Sequence, residues 1–92
     1  MTSKYKGILH DQLCTVIFGE SYGFWQALDI SYTIQHRTQQ ETRSEQIIAI
    51  RDETSLYFTF AGVFYCGEIE DAMIHGYSYI KDEKKLFKID LC

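Results

Sequence analysis

Residues 27–35 carry the pattern that most constrains the fold, a strict alternation of apolar and polar side chains. The apolar positions of this segment include Leu28, Ile30, Tyr32 and Ile34. A period of two places every second side chain on the same face of a strand, so the segment predicts a strand with one buried and one exposed face. The same alternation in residues 87–91 predicts a second strand of this kind.

Other segments are rich in β-branched and aromatic residues and are separated by polar turns, which predicts further short strands. These segments are residues 13–18, 47–51, 56–60, 63–69 and 73–80. Residues 13–18 and 56–60 are apolar on both faces, which is typical of strands covered on both sides.

The length of 92 residues suits one domain, residues 1–92, because a second core would need a longer chain. Seven or eight short strands joined by tight polar turns, without any proline, predict a mainly β fold. We expect an antiparallel β-meander that forms a small barrel or half-barrel.

Two segments depart from the strand pattern. Residues 20–28 include Ser21, a candidate helix N-cap, followed by apolar side chains at spacings that a short helix could use. We therefore expect one short helix or loop cap around residues 20–27, covering an end of the barrel. Residues 35–46 contain no apolar residue, so they cannot bury a face as helix or strand. They are predicted to form a solvent-exposed arm or a mobile loop.

Charge and cysteine usage limit the partners and the compartment. The formal net charge of −4 and the absence of clustered Lys and Arg argue against nucleic-acid binding. Cys14, Cys66 and Cys92 cannot all pair within one chain and lack metal-ligand spacing, which favours a reducing, cytoplasmic location. No apolar run is long enough for a membrane span and no secretion signal is recognisable, so no membrane partner is expected.

The hairpin of residues 63–80 is the most patterned part of the chain. Its short polar turn is expected to place Gly67 opposite Gly76. This register gives the hairpin one apolar face and one mixed face of polar and aromatic side chains. The mixed face consists of Phe64, Cys66, Glu68, His75, Tyr77 and Tyr79, with Glu68 opposite His75 and Cys66 opposite Tyr77.

Two interpretations of this mixed face stay open. In the first, His75 is an acid, a base or a metal ligand oriented by Glu68, and Cys66 is a nucleophile or second ligand. In the second, which we favour, the face carries a cross-strand Glu–His pair beside a buried cysteine and performs no chemistry. The two glycines could admit a ligand to the sheet or bend a coiled strand, and we favour the bend.

Residues 18–25 contain three aromatic side chains, Tyr22, Phe24 and Trp25, but neither glycine-rich pattern of a phosphate-binding loop. These side chains could stack on a flat ligand or anchor a protein partner. They could also plug the barrel, which we favour. No metal, cofactor or catalytic motif is recognisable elsewhere in the sequence, so none is predicted.

Several runs resemble the closing strands of small lipocalin-like β-barrels found in uncharacterised bacterial proteins. They are Phe64-Tyr65-Cys66-Gly67-Glu68-Ile69, Ile74-His75-Gly76-Tyr77 and Leu86-Phe87-Lys88-Ile89-Asp90-Leu91. The early run Tyr5-Lys6-Gly7-Ile8-Leu9 is similar to their opening strand. The resemblance implies a fold rather than an activity, and the short chain argues against the roomy cavity of a true lipocalin.

These observations favour a non-enzymatic intracellular binding protein that acts by protein–protein contact, such as an inhibitor, an immunity-type protein or a counter-defence protein. One alternative is a small-molecule or nucleotide-binding barrel whose pocket is lined by Trp25, Tyr32, Tyr77 and Tyr79. A further alternative is an enzyme or metal site built on Cys66 and His75. An exposed edge strand would also favour a homodimer. The candidate partner- or ligand-binding residues are Tyr22, Phe24, Trp25, Glu68, His75, Tyr77 and Tyr79.

Overall fold

A computed structural model describes residues 3–92, which fold into eight antiparallel strands. In chain order the strands are β1 (Lys4–Leu9), β2 (Gln12–Tyr22), β3 (Trp25–Gln35), β4 (Gln40–Asp52), β5 (Ser55–Phe60), β6 (Val63–Glu70), β7 (Met73–Ile80) and β8 (Glu83–Leu91). Each strand pairs with the next, and β1 also pairs with β8, so the sheet closes into a barrel. The predicted mainly β meander is confirmed. Closure pairs the edges that a half-barrel would leave open, whereas residues 40–49 of β4 pair with β3 alone and keep one open edge.

Side chains that point inward at every second position fill the barrel. Leu28 and Ile30 are fully buried on β3, as the alternation over residues 27–35 predicts. Phe87 and Ile89 are buried in the same way on β8. Because burial of one such side chain contributes about 1.5–3 kcal/mol, the packed interior is what holds the strands together.

Residues 20–27 form a β-hairpin, so the expected helical cap is wrong. β2 continues to Tyr22, which pairs with Trp25 at the start of β3. Gly23 supplies the positive φ of 60° in the two-residue turn between them. Ser21 is paired in the ladder instead of capping a helix, because the ladder satisfies backbone groups that a one-turn helix leaves unpaired. Nor does any helix within residues 3–92 reach the length and apolarity needed to span a membrane.

Residues 35–46 belong to a paired ribbon that extends from the barrel. β3 and β4 stay in register as far as the pair Gln35 and Gln40, and the β4 side chains of this segment are exposed on both faces. The segment is an exposed arm that buries no face, as the lack of apolar residues indicated, and most of it is paired strand rather than a mobile loop. Backbone ladder bonds of about 0.5–1.5 kcal/mol each and exposed pairs such as His36 with Glu41, 3.1 Å apart, hold it without a buried face.

The strands of residues 13–18 and 56–60 are covered on one face only. Their outward side chains include Leu13, which is exposed, and Thr59, which is also exposed. The expectation of two covered faces is therefore wrong. A closed antiparallel barrel has one packed interior and one solvated exterior, and apolar residues on the outside do not change that.

Gly67 and Gly76 face each other across β6 and β7, in the predicted register. A Cβ atom built on Gly76 would overlap the carbonyl oxygen of Cys66 and lie 2.7 Å from the Cα of Gly67. A Cβ atom on Gly67 would lie 2.9 Å from the Cζ atom of Phe87. The space beside both glycines is therefore filled by the protein itself, which agrees with a bend rather than a ligand entrance.

Candidate functional site

The aromatic tip, which we define as Tyr22, Phe24 and Trp25, projects from the β2–β3 turn into solvent. Their side chains are 90%, 63% and 62% exposed, so they do not plug the barrel. The turn is nevertheless held in place, because the backbone N–H of Arg51 donates to the carbonyl oxygen of Phe24 at 2.7 Å. Trp25 also pairs with Ile50 on β4, whose side chain is exposed beside it. The tip is thus an apolar projection on an ordered backbone.

The size of this projection matches the largest apolar patch that a monomer usually carries. Tyr22, Phe24 and Trp25 with Gly23 line a shallow, almost wholly apolar depression of about 420 Å³. An aromatic side chain has about 150–250 Å² of surface. Multiplied by the exposed fractions of Tyr22, Phe24 and Trp25, this gives roughly 300–500 Å² of exposed aromatic surface. Contiguous apolar patches of about 300–600 Å² on monomers are often functional. The tip is therefore the strongest candidate for an interaction surface.

A more polar groove of about 470 Å³ lies on the other side of the tip. Its lining residues are Ser21, Gly23, Phe24, Trp25, Gln26, Arg51, Asp52 and Glu53. The amide of Gln26 is buried and donates to the carbonyl oxygen of Gly19 at 3.0 Å, where β2 bulges. Arg51 stacks over the Phe18 ring at 5.8 Å and its Nε donates to the Glu53 carbonyl oxygen at 3.2 Å. These contacts fix the floor of the groove.

The end of the barrel that carries the tip is acidic. The turns at this end follow β2, β4 and β6. Counted together, with three residues on either side of each turn, they contain six carboxylates and a single Lys or Arg, which is Arg51. The carboxylates are Glu20, Asp52, Glu53, Glu68, Glu70 and Asp71. β1 begins and β8 ends at this same end, which adds Lys4 and Lys6 against Asp90 and leaves an excess of four carboxylates. The turns after β1, β3, β5 and β7, counted in the same way, balance four carboxylates against four Lys or Arg. The excess negative charge is therefore concentrated around the tip.

The mixed face of the β6–β7 hairpin has the predicted register, with Glu68 opposite His75 and Cys66 opposite Tyr77. The predicted pairing of their side chains is wrong, because the Nε2 atom of His75 lies 2.9 Å from the carboxylate of Glu70, the diagonal neighbour. Half-buried Cys66 is free, and the described part of the chain, 3–92, contains no group of three or more metal-capable side chains.

Glu68 turns towards β5 instead of His75. Its carboxylate accepts hydrogen bonds from Ser55 Oγ at 2.7 Å and from Thr54 Oγ1 at 2.9 Å. These two hydroxyls lower the pKa of Glu68 below its ordinary value, with a smaller contribution from His75. The geometry does not supply the oriented Cys–His–Glu arrangement that a nucleophilic mechanism requires.

Tyr77 and Tyr79 lie on an exposed face that also includes residues the sequence reasoning missed. The ammonium group of Lys84 lies 4.0 Å from the ring centroid of Tyr77 and 5.9 Å from that of Tyr79. Leu86, opposite Tyr77 on β8, is 79% exposed. Continuing the register across the β7–β8 hairpin would have identified both residues. A groove of about 340 Å³ on this face is lined by Cys66, Gly67, Glu68, His75, Gly76, Tyr77 and Leu86.

The aromatic tip and this second face do not form one site. Trp25 pairs with Ile50 on the next strand, Ile50 with Tyr57, Tyr57 with Cys66, and Cys66 with Tyr77. Tyr77 therefore lies four strands away from Trp25 around the barrel. Four steps in an eight-stranded barrel are half of its circumference. Tyr32 instead packs against Phe60, with ring centroids 5.7 Å apart. The predicted pocket shared by Trp25, Tyr32, Tyr77 and Tyr79 is therefore wrong.

Comparisons with protein-family models, with curated proteins and with solved structures found no match. The small antiparallel barrel implied by the resemblance is present, while no match supports a closer relationship to lipocalin-like proteins. The function must therefore be argued from the geometry of the site.

Proposed function

We propose that this protein is a non-enzymatic binding protein that acts by protein–protein contact through the aromatic tip. The observation that carries the proposal is the exposure of Tyr22, Phe24 and Trp25, at 90%, 63% and 62%, on a turn tied to β4. Leaving three aromatic side chains in water is unfavourable unless a partner covers them. Tyr and Trp are also the residues that most often dominate the free energy of protein–protein binding.

The order of the turn supports recognition by a preformed surface. The Arg51–Phe24 backbone hydrogen bond and the pairing of Trp25 with Ile50 fix the tip before any partner arrives. A preformed surface loses less conformational entropy on binding, which leaves more of the burial energy as affinity. The partner therefore needs an apolar pocket that accepts a projecting turn.

The charge around the tip supports a protein partner over an anionic surface. The acidic end of the barrel would repel a membrane rich in anionic lipids or a nucleic-acid backbone. The same carboxylates favour a partner whose pocket is bordered by Lys or Arg. A protein that inserts a rigid turn into such a pocket blocks it, so we propose an inhibitor, immunity-type or counter-defence role. The three free cysteines are consistent with a cytoplasmic setting.

The test compares a tip variant with a matched variant on the opposite side of the barrel. The tip variant is Tyr22→Ser with Phe24→Ser and Trp25→Ser, and the control is Tyr77→Ser with Leu86→Ser. A protein captured from native lysate by the wild type is purified, and its Kd for each variant is measured by calorimetry. Since an anchor residue contributes about 2 kcal/mol or more, the tip variant should bind at least about 30-fold more weakly.

The control variant should retain the wild-type Kd, because its substitutions lie half the circumference away from the tip. Far-ultraviolet circular dichroism checks that both variants are folded. Equal Kd values for the wild type and the tip variant would overturn the proposal, and a loss confined to the control variant would move the binding surface to the β6–β8 face.

A further inference from the structure

The strand β4 has an open edge over residues 40–49, which pair with β3 and with no other described strand. We name this segment the open β4 edge. Such an edge presents unpaired backbone N–H and C=O groups to which another strand can bond. Natural proteins usually protect a long edge with proline, lysine or a bulge. Residues 40–49 contain neither proline nor lysine and keep an unbroken register with β3, so the open β4 edge is available to a partner strand.

Two hydrogen bonds at the ends of the ribbon show which backbone groups of the open β4 edge are free. The N–H of Arg51 donates to the carbonyl oxygen of Phe24, and the carbonyl oxygen of Gln39 accepts from the N–H of His36. Because the direction of these groups alternates along a strand, the odd-numbered residues of β4 bond to β3 and the even-numbered residues point to the open edge. The residues with free groups are Gln40, Thr42, Ser44, Gln46 and Ile48.

A second copy of the open β4 edge can supply the missing bonds. Two antiparallel copies are related by a two-fold axis, which passes through the same residue of each copy. With Ser44 on this axis, every residue with free groups faces another such residue. The facing pairs are Ser44 with Ser44, Thr42 with Gln46 and Gln40 with Ile48, the last two occurring twice. Each pair exchanges two bonds, which gives about ten in total, whereas an axis at Arg43 or Glu45 gives about eight.

The charges on the edge favour the same register. With Ser44 on the axis, Arg43 of each copy lies directly opposite Glu45 of the other. These residues form a non-hydrogen-bonded pair, in which the two side chains are closest. An axis at Arg43 would instead place the two Arg43 side chains opposite each other, and an axis at Glu45 would do the same to the two Glu45 side chains. Like charges directly opposite each other are destabilising.

Both side chains of this pair can accept a new partner. Arg43 and Glu45 are exposed. Arg43 contacts Glu41 of its own chain through Nη2 alone, at 3.3 Å, and its guanidinium group has further donors. Glu45 accepts from the hydroxyl of Tyr32 through Oε1, at 3.4 Å, which leaves Oε2 for Arg43 of the second copy. We propose that this protein forms a symmetric homodimer in which two open β4 edges pair with Ser44 on the axis, joining the ribbons into one four-stranded sheet.

The aromatic tip takes no part in this dimer. Ile50, which pairs with Trp25, lies six residues from Ser44 along β4, a distance of about 20 Å. The tip therefore stays exposed in the dimer, and loss of dimerisation is a separate result from loss of binding at the tip.

Sedimentation equilibrium of the full chain tests whether the dimer forms. A single strand pair is a small interface, so we expect a dissociation constant between about 1 μM and 1 mM. The mean mass should rise over this range from 10.8 kDa towards twice that value. A reducing agent prevents disulfides between the free cysteines, which would mimic a dimer. A monomer at every concentration overturns the proposal and leaves the open β4 edge to a strand of another protein.

Charge reversal tests the register. Arg43→Glu and Glu45→Arg each place like charges opposite each other twice, so each variant alone should have a dissociation constant at least about tenfold higher. An equimolar mixture of the two variants restores both opposite-charge pairs and should recover the wild-type affinity as a heterodimer. Lys88→Glu, exposed on β8, is the matched control for Arg43→Glu and should dimerise as the wild type does. A mixture that binds no more tightly than either variant alone refutes the register.

Hydrogen exchange and a proline variant test the backbone pairing. The amides of Thr42, Ser44 and Gln46 gain partners only in the dimer, whereas the odd-numbered amides bond to β3 in the monomer as well. Protection should therefore rise with concentration at the even-numbered residues alone. Ser44→Pro removes a free N–H and no bond to β3, so it should remain folded by circular dichroism and dimerise at least about tenfold more weakly. Unchanged dimerisation of Ser44→Pro, or no gain in protection at the even-numbered amides, contradicts the proposal.

Discussion

Replacement of Gly76 by alanine tests the close approach of β6 and β7 on which the shape of the barrel depends. In an ordinary strand interior, alanine is more favourable than glycine by about 0.5–1 kcal/mol, because glycine loses more conformational freedom on folding. At Gly76 we expect the opposite sign. The added Cβ would overlap the carbonyl oxygen of Cys66 and lie 2.7 Å from the Cα of Gly67, and neither backbone atom can turn away.

The cost can be worked from these contacts. Overpacking by one carbon costs about 1–3 kcal/mol, and separating the strands to relieve it weakens one or two ladder hydrogen bonds of about 1 kcal/mol each. Gly76→Ala should therefore lower the free energy of unfolding by about 2–5 kcal/mol, a large part of the usual 5–15 kcal/mol. A smaller loss is expected for Gly67→Ala, where the nearest atom, 2.9 Å away, belongs to the Phe87 side chain.

Urea unfolding followed by far-ultraviolet circular dichroism measures the difference. With a slope of about 1–3 kcal/mol per molar urea, the midpoint of Gly76→Ala should fall by about 0.7 M or more. Gly23→Ala is the control, because its Cβ meets nothing within 4 Å and only the positive φ of 60° is strained. A Gly76→Ala midpoint equal to or above that of the wild type refutes the close approach.

Three further predictions concern the turns and the surface. Ala61 has φ 53° at the first position of the β5–β6 turn, so Ala61→Gly should raise the free energy of unfolding by about 0.5–1 kcal/mol in the same urea assay. The lowered pKa of Glu68 means that its carboxylate stabilises the fold above the ordinary value of 4.5 and loses this effect as the pH falls through the lowered pKa. The stability difference between the wild type and Glu68→Gln should accordingly be present at pH 7 and vanish in strong acid, whereas a pH-independent difference contradicts the assignment. Tyr22→Ser should change the unfolding free energy by less than about 0.5 kcal/mol, since the side chain is 90% exposed.

Local patterns predicted the parts of the fold that local physics determines. The alternation over residues 27–35 identified β3 because a half-buried strand needs a period of two. The register of the β6–β7 hairpin followed from the short turn and the facing pair of Gly67 and Gly76. In both cases the deciding information lies within about twenty residues of sequence.

Other features depend on partners that the local sequence does not contain. The aromatic spacing in residues 20–28 fits both a short helix and a hairpin, and the pairing of β3 with β4 decides between them. Residues 35–46 form strands without apolar residues because ladder bonds stabilise the ribbon. The side chain of His75 pairs with Glu70 rather than with Glu68, because its conformation turns it towards the diagonal neighbour. The register alone does not determine that conformation.

Because Trp25 is the single tryptophan of the chain, it offers the most direct test of the aromatic tip as the binding surface. The protein is labelled with fluorotryptophan, and its one fluorine resonance is recorded during titration with the captured, unlabelled partner. The account predicts a changed chemical shift and a reduced solvent isotope effect, because a side chain that is 62% exposed becomes covered. A complex that forms by sedimentation while the resonance keeps its free position and its solvent exposure would contradict the account.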